Sequence, residues 1–286
     1  MMEETILLNE YTGRLEEILS QEKMAEIYEG KLKPRDLDMI QNQYLYMLDN
    51  EDCSLIDKLR VDEDNFVPLK YHYISNEYMG TLKPRNAEQE LAFDLLQNPN
   101  ITVKLITGRF GSGKTFIMLG HALSMVEKNK VEKIVYVRNN IEVKNSNPLG
   151  MLPGEMYNKL LPYAKPIADH VGGIDGLQML MSPPEPKLEI EHLGFMRGRD
   201  IKNSILFVSE AENLTKEHVQ LLIGRVGEGS QIWFDGDFKQ TDKEVFEKYS
   251  GLKIMIERLK GNKLFGYVRL KKSERSETAQ LADLLD

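Results

Sequence analysis

The chain of 286 residues contains a single cysteine, Cys53. It cannot close an internal disulfide or supply a thiolate metal site, and it fits a reducing compartment, so a cytoplasmic location is expected. No apolar run approaches the roughly 20 residues that span a bilayer. The opening MMEETILLNEY is acidic where a secretory signal is basic. Membrane insertion and export are therefore not expected. Aromatic residues make up only 8% of the chain, and they form no cluster that would serve as a stacking platform for bases. Low-complexity tracts are absent. The 41% hydrophobic content excludes disorder as the main state and is enough for one large domain, or one domain plus an appendage.

Net charge is −8, unevenly spread. Residues 1 to 65 hold 7 basic and 17 acidic side chains, so they carry −10 and the remainder +2. Residues 251 to 275 hold 8 basic and 2 acidic side chains, which reads either as a solvated surface or as a patch that neutralises phosphates. Apolar residues at three- and four-residue spacing over 14 to 28 and 36 to 48 predict amphipathic helices, hence an acidic, mainly helical appendage over residues 1–80. KLKPR at 31 to 35 and TLKPR at 81 to 85 each precede a helix-like stretch, as Pro near a helix start does.

From residue 100 short apolar runs alternate with helical patterns: TVKLIT, KIVYVR, SILFVS and QIWFDG as strands, with helices after Lys114, in GEMYNKLLPYAKPIADHV and in TKEHVQLLIGRV. KLEIEHL is a further short strand. Such alternation predicts a mostly parallel sheet flanked by helices, an α/β core over 81–286.

GRFGSGKT, Gly108 to Thr115, fits G-x-x-x-x-G-K-[ST] after an apolar strand and before a helix. Backbone N–H groups of Gly108, Arg109, Phe110, Gly111, Ser112 and Gly113, with the helix start at Phe116, are expected to cradle phosphates. Lys114 is expected on the β- and γ-phosphates and Thr115 on magnesium. Upstream, the Gln89 amide has the donor and acceptor needed for an adenine edge. Glu210 closes the strand ILFVS, where it either polarises an attacking water or caps the next helix. WFDGDFKQTD then brings Asp235, Asp237 and Gln240 to the end of a second strand, where a γ-phosphate sensor belongs.

Taken together, NAEQ, GRFGSGKT, VYVRNNIEV, PLGMLPGEMYNKLLPYAKPIADHV, FMRGR, SEAENLTKE, GDFKQTD and LKKSER resemble the PhoH family, single-core ATPases related to superfamily 1 helicases. The likeness covers roughly 70% of the chain, from about residue 82 onward; residues 1 to 80 carry no apparent resemblance. It implies a RecA-like P-loop core, ATP and Mg2+ as ligand and cofactor, and the strand ending at Asp237 between those of the phosphate loop and Glu210. The sequence departs from the family at Ser209, where an Asp stands in the family's Asp-Glu-Ala-Gln-Asn run, and at Glu212, where the family has Gln. Asp235 or Asp237 is expected to restore the lost charge near magnesium, with Ser209 orienting a water. The family normally has a neutral residue at position 235.

Phosphoryl transfer also calls for an arginine at the γ-phosphate. The resemblance implies a homo-oligomeric ring, a hexamer by preference, in which neighbours complete each other's sites. Arg275 is the first candidate and Arg225 the second. Arg138, Arg197 and Arg199 are candidates for contact with single-stranded RNA or DNA, or for relaying nucleotide state. The expected function is Mg2+-dependent ATP hydrolysis to ADP, coupled to single-stranded nucleic acid, with helicase action as its fullest form. The alternative is a nucleotide-gated protein-interaction switch with slow turnover.

Overall fold

The computed structural model describes residues 11–138, 164–238 and 250–274. Its centre is a six-stranded parallel sheet in the order β12-β7-β11-β10-β8-β9. These strands are β7 (Val103–Gly108), β8 (Lys133–Arg138), β9 (Leu188–His192), β10 (Ser204–Ser209), β11 (Gln231–Gly236) and β12 (Phe265–Leu270). The inner strands are nearly continuous apolar runs because both faces are covered. Alternation splits them: Ile106, Tyr136, Phe207 and Trp233 face α2 (Ala87–Gln97), α3 (Lys114–Glu127) and α4 (Gly173–Met181). Leu105, Val137, Leu206 and Phe234 face α5 (Lys216–Ile223) and α6 (Gly251–Leu259). This is the expected α/β architecture of a RecA-like P-loop core, and β11 lies between the phosphate-loop strand and the Glu210 strand as foreseen. The helix expected over GEMYNKLLPYAKPIADHV lies mostly outside the described residues; its Lys165–Ala168 turn is helical.

The helical appendage is not what forms. Residues 14 to 28 make a strand, β1 (Arg14–Leu19), and only then a helix, α1 (Gln21–Tyr28). Residues 36 to 48 give one turn of 3₁₀ helix at Pro34–Leu37 and then β2 (Tyr44–Asp49). With β3 (Leu55–Asp62) and β4 (Asn65–Pro68) they form a four-stranded sheet, β1 parallel to β2 and the rest antiparallel. The reason is tertiary. Tyr44, Leu45, Tyr46 and Met47 are all buried, two towards α2 and two into a separate small core with Leu19, Met24 and Leu59, so the run is apolar on both sides of an extended chain. Over such a short span that pattern is indistinguishable from a helix face by spacing alone. A short hairpin, β5 (Ile74–Asn76) with β6 (Gly80–Leu82), leads into α2.

The N-terminal sheet is seated against α2 and β12. Tyr44 Oη donates to Asp94 Oδ2 at 2.9 Å. Asn42 Nδ2 donates to the carbonyls of Phe265 at 2.9 Å and Lys263 at 3.1 Å. At Gly13 (φ +81°) the chain passes so close to β12 that an added Cβ would lie 2.0 Å from the Tyr267 carbonyl oxygen. Lys104 of β7 is a wholly enclosed lysine, its Nζ donating to Leu96 O at 2.7 Å. No helix among the described residues is long and apolar enough to cross a membrane.

Candidate functional site

The loop between β7 and α3 is shaped by its neighbours. At Gly108 an added Cβ would fall 2.3 Å from Leu270 O and 2.9 Å from Ser112 Oγ, so only glycine lets β7 turn beside β12. Lys114 Nζ donates to Gly108 O at 2.7 Å and Arg109 O at 3.2 Å, folding the ammonium across the loop. Ser112 Oγ is buried without a hydrogen-bond partner among the described residues. Arg109, Phe110 and Phe116 are on the exposed side of the loop, and the Phe116 ring meets His170 edge-on at 5.4 Å.

Gln89 sits under this loop, 4% exposed. Its Nε2 donates to Ser112 O at 3.2 Å, and its Oε1 accepts from Arg85 N at 2.9 Å. Both ends of the amide expected to read adenine are thus engaged with the protein.

Strand alternation puts Asp235 on the α3 side of β11, the parity it shares with Trp233. Its Oδ2 accepts from Thr115 Oγ1 at 2.6 Å and its Oδ1 from Glu210 N at 2.9 Å. Ser209 has the same facing on β10, and continuing the register Val208↔Phe234 by one residue sets it beside Asp235. A carboxylate thus stands one strand over from Ser209, against the Thr115 hydroxyl. The set fits a hard divalent cation, since a hydroxyl and a carboxylate beside phosphate oxygens are its usual partners.

Glu210 is the strained member, with φ +54° and ψ +45°. Such a conformation costs a β-carbon residue about 1 kcal/mol or more. It is held there by the hydrogen bond its N–H donates to Asp235 Oδ1 and by Arg138 at the end of β8, which clasps its carboxylate through both Nε (2.8 Å) and Nη2. Glu212, 4% exposed, accepts from Asp237 N at 3.1 Å. Burial, with the charges of Asp235 and Glu210, pushes its carboxyl up to about 8. Near neutral pH this favours the protonated acid, whose shape and hydrogen bonding are close to those of a glutamine.

The other expected residues are dispersed. Asp237 follows β11 and is buried. Arg199 pairs with Glu189 at 3.4 Å and with Glu191, Arg197 is exposed, and Arg225 donates to Arg199 O at 3.4 Å beside Ile201, ahead of β10. Among the described residues, none of these three meets Glu210. Gln240 and Arg275 lie outside the described residues.

The family model described as "PhoH-like protein" matches residues 81–282. The chain belongs to the PhoH-like family. Similar curated proteins are Protein PhoH2 of Bacillus subtilis, 33% identical over 293 aligned residues (96% of this chain, 64% of that protein), and Protein PhoH2 of Mycolicibacterium smegmatis, 31% over 201 (70% and 46%). Protein PhoH of Escherichia coli K12 is 30% identical over 171 residues (59% and 48%). The chain spans between about half and just under two thirds of the length of these relatives. PhoH-like membership and the parallel sheet give the chain a fold of the P-loop ATPase class. The PhoH-like match begins at residue 81, yet the alignment with the Bacillus protein covers nearly the whole chain. The N-terminal sheet, for which the sequence suggested no relative, thus falls largely inside a likeness.

Three supports of the site escape sequence reasoning: Asn86, Glu88 and Glu274. Asn86 Oδ1 caps α2 by accepting from Gln89 N at 3.0 Å, and its Nδ2 donates to Glu274 Oε1 at 2.6 Å. Glu274 N donates to Gly111 O at 3.0 Å. The N-cap pattern Asn-Ala-Glu-Gln was a readable signal for Asn86; contacts of the two acids across 183 to 188 residues are not local to the motifs that hold them.

Proposed function

We propose that the chain binds ATP with Mg2+ on the Gly108–Thr115 loop and hydrolyses it to ADP. The observation that carries this reading is the alignment of Thr115 Oγ1, Asp235 and the Glu210 amide beside the loop. Loop amides and Lys114 bind and orient the triphosphate; Lys114 exchanges two carbonyl partners for phosphate oxygens. Thr115 and Asp235 hold the cation, with Glu210 at its margin. Bound Mg2+ neutralises charge on the phosphate oxygens. Glu210 is the group that takes the proton of the attacking water, and Asp237 and Gln240 sense the γ-phosphate. Coupling to single-stranded RNA or DNA, a ring of like subunits and an arginine reaching in from a neighbour, Arg275 before Arg225, complete the proposal; Arg138, Arg197 and Arg199 are its nucleic-acid or relay groups. The test is ATP turnover with and without single-stranded RNA and DNA over a salt series, with Lys114→Ala as control. Stimulation that fades steeply with salt is expected from phosphate contacts; the absence of Lys114-dependent turnover refutes hydrolysis.

The clasp of Arg138 on Glu210 favours a second reading, a nucleotide-gated interaction switch with slow turnover. In that reading the carboxylate is withheld from water. Arg138→Ala separates the two: basal turnover rises if the clasp withholds the base and falls if it orients it.

A further inference from the structure

We infer that Glu88 is a positioning residue through which the N-terminal sheet sets the phosphate loop, an inference that rests on the triphosphate-binding reading above. Glu88 lies in the first turn of α2 with its side chain 12% exposed. Its two oxygens have different partners. Oε1 accepts from Arg14 Nη1 of β1 at 2.9 Å, while Oε2 accepts from the consecutive backbone amides of Lys271 at 2.6 Å and Lys272 at 3.0 Å. These amides follow the last residue of β12, beyond its pairing with β7, and a carboxylate is the acceptor that satisfies both with charge assistance. Arg14 is itself fixed, its guanidinium stacked 5.0 Å over the Tyr46 ring and Nη1 also within 3.4 Å of Arg269 O.

The segment that Glu88 holds is the one that braces the loop. Leu270 O walls Gly108, and Glu274 N donates to Gly111 O. Asn86 and Gln89, one turn of helix with Glu88, secure Glu274 and Ser112 O. A continuous set of polar contacts therefore runs from β1 through Glu88 to residues 271–274 and the loop. Neutralising Glu88 leaves one oxygen for two duties, and removing Arg14 frees β1 from the set. Either change loosens residues 108–113 ahead of the rest of the sheet, and any partner that displaces β1 does the same.

Hydrogen exchange on nucleotide-free Glu88→Gln, Glu88→Ala, Arg14→Ala and Arg14→Lys proteins, read with binding of a fluorescent ATP analogue, tests this. The expected result is exchange over residues 108–113 faster by about tenfold or more in both Glu88 variants and in Arg14→Ala, with analogue affinity falling in step. Arg14→Lys, which keeps one N–H on Oε1, restores most of both. Unchanged exchange at 108–113 in Glu88→Gln and Arg14→Ala overturns the inference, as does acceleration spread evenly over β7, β10 and β11. If Glu88→Ala does not fold, those two variants decide. A wild-type protein that fails to bind the analogue refutes the triphosphate reading alone, because the exchange comparison needs no nucleotide.

Discussion

Replacing Glu212 with glutamine removes a proton that the folded protein holds and the unfolded chain releases. The carboxyl titrates at 4.5 when exposed and at about 8 in the fold, raised first by burial and then by Asp235 and Glu210. A shift of that size is worth about 5 kcal/mol in full. Because the folded value is the higher one, this stability is complete below pH 4.5 and is lost as pH rises through 8. Integrated between pH 5 and 8, the loss comes to roughly 3 to 4 kcal/mol. The Glu212→Gln variant has no proton to lose there, and its amide still offers an oxygen to Asp237 N. Urea unfolding of wild type and Glu212→Gln in EDTA, at pH values from 5 to 8, measures the difference directly. Lys104, lowered by burial to about 7, and His121, lowered by burial to about 3, titrate in both proteins and cancel in that difference. The wild type is expected to lose stability relative to the variant as pH rises. A difference that stays constant to within about 1 kcal/mol refutes the claim that Glu212 is a buried neutral acid.

Asp235→Asn is expected to cut ATP turnover at least about tenfold, while Ser209→Asp at limiting Mg2+ gains less than that, because the charge beside Thr115 is already supplied; a gain of about tenfold or more in Ser209→Asp shows that Asp235 does not compensate. Gly13→Ala forces a Cβ onto the Tyr267 carbonyl at a positive φ and should cost about 2 kcal/mol or more by urea unfolding, an unaltered midpoint refuting the tight seat of β1 on β12. Lys104→Met replaces a buried amine whose pKa is depressed, so wild-type Lys104 stability is fully present above pH 10.5 and is lost as pH falls towards 7. The variant's advantage should shrink by roughly 3 kcal/mol between pH 7 and 10, and parallel curves would refute the depression.

The core of the fold was legible because strands covered on both faces write themselves as apolar runs, and because the phosphate loop is local in sequence. The places of Lys114 and Thr115 at the end of the loop and of Glu210 at the end of its strand were legible for the same reason. Asp235 was ambiguous: alternation permits either face, and only the packing of Trp233, two residues back, on the α3 side of the sheet sets it towards Thr115. The N-terminal strands were misread since YLYML carries apolar residues on every side, which satisfies a helix period as readily as a strand buried twice over. Gln89 was read for its hydrogen-bonding capacity, but its location beneath Ser112 depends on how α2 crosses the loop. Glu88 and Glu274 fall within NAEQ and LKKSER, but nothing local to either motif shows that Glu88 meets the Lys271 and Lys272 amides or that Glu274 meets Asn86 and Gly111.

The strand that flanks β7 on its outer side, β12, is supplied by residues 265–270, and the brace at Gly111 by Glu274. During vectorial synthesis the glycine-rich segment leaves the ribosome more than 150 residues before its lateral wall exists. A nascent chain thus carries the full phosphate-binding motif before the strand that flanks it and the brace at Gly111 have been made.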